Sequence, residues 1–349
     1  MLCPHQWHHI WGKLLKTCFD NQKMPDTSLI DTWIDSSIER SEQTFRLKQL
    51  YELQAEFLYD QYEPTKAFPS DAGLTFITRL DRWIAQFSDH RDQWAVFNTL
   101  KYFFFVGIVE TEELYRCAVQ HSLYPWLIDK CGLDIFDPAF DEKLSVEMSK
   151  VWPCPVTDSL RINSLLHRTQ LSGQSLRPDW LSMKEFSNEE NIAAYIKRNN
   201  INYLALFEDF SGSGFQCSRA IKHALKVFDG PILVTPLVIC APGDAALREL
   251  EREFPQISYR PIVVLTEDCL VREEPTLNEP PSFRALRRAI KNGAAIGGFE
   301  DDPFGFGGIA SLAATYSNCP NNSPLIYHSS SKTWPHALFP RIDRKKKTS

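Results

Sequence analysis

The sequence predicts an α/β protein, a doubly wound and mostly parallel sheet preceded by an all-α N-terminal domain. Three observations carry that prediction. Apolar runs at 203–207, 231–240 and 261–265 each end in small or acidic residues and alternate with stretches of helical spacing, the pattern of parallel strands joined by crossover helices. Ahead of them, apolar residues recur at three- and four-residue steps, as in amphipathic helices. The chain has 349 residues, of which 43% are hydrophobic and 12% aromatic, enough for two domains with sizeable cores. The acidic, proline-bearing stretch 132–144 reads as a linker, which gives a helical domain over 1–140 and an α/β domain over 145–349.

Taken in order, residues 27–62 read as helical, with Ile30, Trp33, Ile34 and Ile38 and then Leu50, Leu53, Phe57 and Leu58 on repeating faces. Pro69-Ser70-Asp71 reads as a helix start, followed by a stripe of Ile77, Leu80, Ile84 and Phe87 with Trp83 at its edge. An aromatic-rich helix over 92–105, a break at Val106-Gly107-Ile108 and a new helix from Thr111-Glu112-Glu113 give the outline of a helix-turn-helix. DNA reading is one expectation for it. Protein contact or plain scaffold is the other, since the second helix offers only Arg116 as a cation.

Val151-Trp152-Pro153-Cys154-Pro155-Val156 is an apolar stretch between prolines that ends in Thr157, Asp158 and Ser159. Those three polar residues are either a ligand loop or the cap of a helix beginning near Leu160. Arg161, His167, Arg168 and Arg177 follow as candidate anion contacts. Residues 188–199 read as the helix leading into the central strand. After it come strands over 231–240, 261–265 and 325–327. The rule that ligands bind beyond the carboxyl ends of parallel strands gathers Glu208, Asp209, Asp244, Glu267 and Asp268 onto one acidic rim. Arg284, Arg287, Arg288 and Lys291 share a helix face that is either solvated or a phosphate contact. The glycine-rich segment 297–308 is a lid or a loop.

The most informative stretch is Tyr203-Leu204-Ala205-Leu206-Phe207-Glu208-Asp209-Phe210-Ser211-Gly212-Ser213-Gly214-Phe215-Gln216. It reads as strand, two acids, small-residue turn and helix. Two glycines can take positive φ there, and a helix N-terminus aims its N–H groups at an anion. Carboxylates repel phosphate, so Glu208 and Asp209 serve sugar hydroxyls or an accompanying cation. Cys217, in the first turn of the helix, is either a thiol acidified by the helix end or a small packing residue.

This stretch resembles the phosphoribosyl-pyrophosphate (PRPP) motif of type I phosphoribosyltransferases. Together with Leu338-Phe339-Pro340-Arg341 it is similar to a divergent phosphoribosyltransferase-like family of bacterial defence loci, some of whose members are retron effectors with a winged-helix-type region. The resemblance covers roughly the C-terminal half. It implies a phosphoribosyltransferase-like fold, a winged-helix-like N-terminal region, and ribosyl transfer in anti-phage defence. Under it Glu208 and Asp209 act on the ribose hydroxyls and hold Mg²⁺. Ser211, Gly212, Ser213, Gly214, Phe215 and Gln216 form the 5′-phosphate loop, and Thr157, Asp158 and Ser159 are the pyrophosphate-loop candidates. The implied partners are a phosphoribosyl-containing small molecule and a protein such as a reverse transcriptase. Purine phosphoribosyltransferases place an acidic base at the position of Gly212, and this chain has none; that departure makes a non-catalytic nucleotide sensor the alternative.

Composition narrows the partners. A net charge of −6 excludes a generally basic nucleic-acid footprint. The most apolar run, 102–109, is too short to cross a bilayer, so no membrane contact is expected, and the N-terminus lacks the pattern of a signal peptide. Nine cysteines without a Cys-x-x-Cys pair point to reduced thiols and a cytoplasmic protein. Cys3, His5, His8 and His9 remain a possible metal cluster, and the basic tail 341–347 an expected solvated run.

Overall fold

The computed structural model of the protein describes residues 28–36, 38–67, 73–171 and 188–342. The cluster at Cys3–His9, the helix start at 69–71, Arg177 and the tail beyond Ile342 lie outside them. The chain divides into two compact units, Met1–Leu50 and Tyr51–Ser349. The first is helical where described (Leu29–Ser36, and Ile38–Phe57 running on into the second). No winged helix occurs among the described residues.

The second unit is built on a parallel sheet of five strands: β2 (Val151–Pro155), β3 (Tyr203–Ser211), β4 (Ile232–Cys240), β5 (Ile257–Tyr259) and β6 (Val263–Leu265). Their order is β2-β3-β4-β5, with β6 also on β4. A second, two-stranded parallel pair joins β1 (Phe104–Val106) to β7 (Ala313–Thr315).

Both faces of the larger sheet are covered, as the unbroken apolar runs require. Leu204 and Leu206 of β3 pack with helices Glu189–Arg198, Phe215–Val227 and Ala241–Glu253 through Ile196, Ile221 and Leu247. Ala205 and Phe207 face the other way, onto Tyr115, Trp126 and Leu165. Alternation along one strand thus feeds two cores. The expectation of a parallel α/β sheet holds for this unit; its strands run in chain order, β2-β3-β4-β5, without the reversal of a doubly wound sheet.

Pro236 explains why β5 and β6 are separate strands. Its carbonyl accepts from Ile262 N–H (3.1 Å), so its ring nitrogen faces the same neighbour and offers no donor. β5 pairs with Ile232–Val234 and β6 with Val238–Cys240, leaving the proline between them. Pro153 and Pro155 are tolerated because, among the described residues, β2 pairs only with β3 and lies at the edge of the sheet.

Several expectations are corrected. The helix of 92–105 ends at Thr99; Phe104–Val106 is strand, paired with Ala313–Thr315. The helix-turn-helix outline therefore does not form, and Arg116 is paired with Glu113 (2.6 Å). The stretch 132–144 lies inside the second unit; it is irregular over 132–139, and Phe140–Met148 is helical. Leu325–His328 is a helical turn, not a strand. The basic face of helix Phe283–Gly297 is largely neutralised. Arg287 pairs with Glu279 (2.6 Å), Arg288 with Asp92 (2.8 Å) and Lys291 with Glu273 (2.8 Å).

The C-terminal Leu338-Phe339-Pro340 is buried. The Phe339 ring packs against Tyr59, Tyr62, Phe76, Phe103 and Phe105, and Tyr62 donates its hydroxyl to Pro340 O (2.9 Å). This segment closes an aromatic core between the β1–β7 pair and the helices before it.

Candidate functional site

β3 does not stop at Phe207. It runs through both acids to Ser211, because β4 continues beside it and pairs Phe210 with Val238 and Ser211 with Ile239. Glu208 and Asp209 are therefore strand residues, and adjacent strand residues face opposite sides of the sheet.

Glu208 faces inward, on the side of the Phe215–Val227 helix, and is almost wholly buried. Its carboxylate accepts from the Thr157 backbone N–H (3.0 Å) and from the Thr157 hydroxyl (2.8 and 3.0 Å). Burial, and next the charge of Asp209, push this carboxyl well above the usual carboxylate range against the pull of those hydrogen bonds.

Asp209 is half-buried and lines a shallow cleft open to solvent, whose walls include Tyr115, Ser159, Arg161 and Tyr316 over an apolar floor of Val106, Leu237 and Val238. Its Oδ1 accepts from the Ser159 hydroxyl (2.6 Å) and from Phe210 N–H (2.8 Å). The Ser159 hydroxyl in turn lies 2.7 Å from that of Thr157. Thr157 and Ser159 thus bridge the two acids, whereas Asp158 points out to solvent. Arg161 lies over the Tyr316 ring (5.3 Å) and pairs with Glu63 (2.7 Å). The alternative of Thr157–Ser159 as a helix cap fails, since the helix Ile162–Thr169 starts at Arg161 without a side-chain cap.

The turn after β3 is tightly packed. Gly214 has φ +75°, the left-handed region, and is the N-cap of helix Phe215–Val227. A Cβ on it would lie 3.1 Å from Gly243 O, and a Cβ on Gly243 would lie 2.7 Å from Gly212 O. Gly212 meets a different neighbour: its Cβ would fall 2.2 Å from Cγ of Asn322, whose amide donates to Phe306 O (2.9 Å). Ser211 is buried and Ser213 half-buried. Gln216 is exposed, and so is Phe215, which has the Phe306 ring 6.5 Å away and Arg219 over its face.

Cys217 is the packing residue of the two readings above. It is fully buried against Ser211 (3.7 Å), and burial raises its thiol instead of acidifying it. The five-acid rim is not assembled either. Asp244 is engaged by Arg248 and the Tyr259 hydroxyl (both 2.9 Å), Glu267 by Arg272 (3.1 Å), and Asp268 by the Thr266 hydroxyl (2.5 Å). Among the described residues no three His, Cys, Asp or Glu gather as a metal set. What the site offers a Mg²⁺ is one cleft-facing carboxylate, which suits a cation carried in on ligand phosphates and largely hydrated.

Sequence reasoning missed Gly243, Asn322, Tyr115 and Tyr316 as parts of this site. Gly243 was visible as a strand-end glycine. Asn322 comes from an irregular segment far along the chain, and nothing local marks it.

A parallel sheet covered on both faces, with a glycine turn opening a helix at the end of one of its inner strands, defines an α/β protein. The family model PRTase-CE matches residues 80–341, and the chain belongs to that phosphoribosyltransferase-like family. No curated protein and no solved structure matches it. No described helix is long and apolar enough to cross a membrane.

Proposed function

We propose that the second unit binds a phosphoribosyl compound, PRPP or a nucleoside 5′-phosphate. In this reading the Ser211–Gly214 turn and the first turn of the following helix take the 5′-phosphate. Asp209 faces the ribose hydroxyls, directly or through a ligand-borne Mg²⁺ that would also offset phosphate charge. The observation that carries the reading is Gly214 at φ +75°, capping a 13-residue helix at the end of the central strand, within the span matched by the family. If the site is catalytic, the bond broken is at the anomeric carbon, and the anionic Asp209 would favour the oxocarbenium-like state.

Calorimetry with PRPP, ribose 5-phosphate and nucleoside 5′-phosphates tests it. Gly214→Val sets a β-branched side chain at positive φ and against Gly243. Binding should fall by roughly a hundredfold or more, since a phosphate held by charge-assisted bonds loses several of them. Unchanged affinity in a folded variant removes the phosphate-loop assignment.

One observation favours a second reading, a nucleotide sensor without turnover. The amide of Asn322 fills the space over Gly212, the position at which purine phosphoribosyltransferases place an acidic base, and an amide cannot serve as that base. Product detection by mass spectrometry separates the two. The likeness to defence-locus proteins supports an anti-phage effector role with a reverse transcriptase as protein partner; co-purification with the product of a neighbouring reverse-transcriptase gene would test that.

A further inference from the structure

We propose that the two motif acids have different jobs: Asp209 meets the ligand, and Glu208 is a positioning residue that builds the turn presenting Ser159 to it. This deepens the phosphoribosyl reading and rests on it only for the identity of the ligand. Glu208 and Asp209 occupy consecutive positions of a paired strand, so their side chains leave opposite faces of the sheet. Glu208 is 2% exposed, among the buried residues beneath the Phe215–Val227 helix, while Asp209 lines the cleft.

Both Glu208 carboxylate oxygens are engaged by one residue. Oε2 takes the Thr157 backbone N–H, and Oε1 and Oε2 share the Thr157 hydroxyl. A buried carboxylate satisfied in this way has a geometric role, because releasing it to a ligand would strand the Thr157 N–H in the interior. The turn it anchors follows β2, whose last backbone contact is Val156 N–H to Phe207 O (2.8 Å). From there the chain is held by Glu208 at Thr157, and two residues later Ser159 donates to Asp209 (2.6 Å). The Thr157 and Ser159 hydroxyls are in contact (2.7 Å), so fixing the first fixes the second. The ligand edge then consists of one carboxylate and one hydroxyl in a set geometry, beside the Arg161 guanidinium. Two acids adjacent in sequence become one binding group and one strut.

The test compares Glu208→Gln, Glu208→Ala and Asp209→Asn, with ribose 5-phosphate and inorganic phosphate as probes and hydrogen exchange of the 156–160 backbone as a structural readout. Gln keeps an acceptor for the Thr157 N–H and a group for its hydroxyl, so it should preserve slow exchange and hold ribose 5-phosphate affinity within about threefold. Ala removes both bonds; exchange at Thr157 should rise and affinity fall roughly tenfold, the scale of one hydrogen bond to a charged group. Asp209→Asn should weaken ribose 5-phosphate by roughly tenfold or more, leave inorganic phosphate unchanged and leave exchange at Thr157 untouched.

Loss of ribose 5-phosphate binding in Glu208→Gln with normal Thr157 protection would overturn the proposal, and that arm stands even if Glu208→Ala does not fold. If the wild-type protein binds neither probe, the phosphoribosyl reading fails. The strut is then still decided by itself, because Thr157 exchange that ignores Glu208→Ala refutes it.

Discussion

Two glycine-bearing turns meet beside the candidate site, and they have similar compositions but opposite surroundings. In Ser211–Gly214, Gly212 and Gly214 are hemmed in: Asn322 fills the space over one, and the Gly243 backbone lies against the other. In Gly305–Gly308 only the first glycine is confined. Gly305 has φ +75°, and a Cβ there would lie 2.3 Å from Ser323 O; Gly307 has only distant neighbours, the Ser213 Cβ at 3.9 Å among them, and Gly308 has none within 4 Å. The first turn is closed over both glycines, by a side chain at Gly212 and by backbone at Gly214. The second is anchored at one end and free at the other. Glycine content alone does not separate a confined turn from a half-free one; what stands over each Cα does.

The largest effect should come from Gly305→Ala, the confined end of the freer turn. The added methyl meets Ser323 O, a backbone atom that cannot swing away, at a φ that disfavours any side chain. A loss of about 3 kcal/mol or more in urea unfolding is expected. A loss below about 1 kcal/mol would mean that the 320–323 segment yields, and the contrast between the two turns would shrink.

The support under that contact should respond to pH. Ser323 O also takes the His328 imidazole (Nε2···O 3.1 Å), and burial, then the charge of Arg341, lower His328 to about 4. The folded form therefore binds fewer protons than the unfolded chain between pH 6.5 and 4. Its share of stability is present above the unfolded value and is lost as pH falls through that window. The loss comes to about 3 kcal/mol by pH 4. His328→Gln should flatten that part of the stability–pH curve. A curve of the same slope in the variant would assign the acid sensitivity elsewhere.

How far the sequence showed all this depends on the distance over which each feature is determined. β3 and β4 were legible because a two-faced buried strand is a continuous apolar run, and the glycine turn because Gly212 and Gly214 lie one residue apart directly after it. β2 was hidden by Pro153 and Pro155, which exclude a central strand but not an edge. β1 was hidden because Phe104–Val106 follows an aromatic helix and finds its partner at Ala313–Thr315, far along the chain. Leu325-Ile326-Tyr327 illustrates the limit of periodicity, since three apolar residues fit a buried strand and a buried helical turn equally well. In the site, the residue types were readable, and so was the alternation: two adjacent acids at a strand's end point to opposite sides of it. Which of the two is buried was not, because that depends on Thr157 and on the helix packed over Glu208. Tyr115, Tyr316 and Asn322 arrive through tertiary contact alone.

Gly212→Ala should come next in size, and it tests whether Asn322 is what demands the glycine. Here the obstruction is a side chain, so the cost should be about 2 kcal/mol, and Asn322→Ala in the same chain should return a good part of it. Simple addition of the two losses would mean that Asn322 moves aside in the single variant and that the amide is not fixed over the loop.

The smallest effect belongs to Gly308→Ala, and it probes the free end of the second turn. Gly308 has φ +61°, but a Cβ built there finds nothing within 4 Å, so the cost is the left-handed backbone alone. That is about 1 kcal/mol for a non-glycine residue, partly offset because alanine restricts the unfolded chain more than glycine does. Ligand affinity should be unchanged, since the Ser211–Gly214 turn keeps both of its own close contacts, Gly212 with Asn322 and Gly214 with Gly243. Calorimetry and urea unfolding on the same sample separate the outcomes. A loss near 3 kcal/mol would place an atom over Gly308 that the fold as described does not have. A large fall in ribose 5-phosphate affinity with stability intact would mean that this segment closes over the bound ligand, and the comparison would then have to be redrawn with the second turn as part of the binding loop.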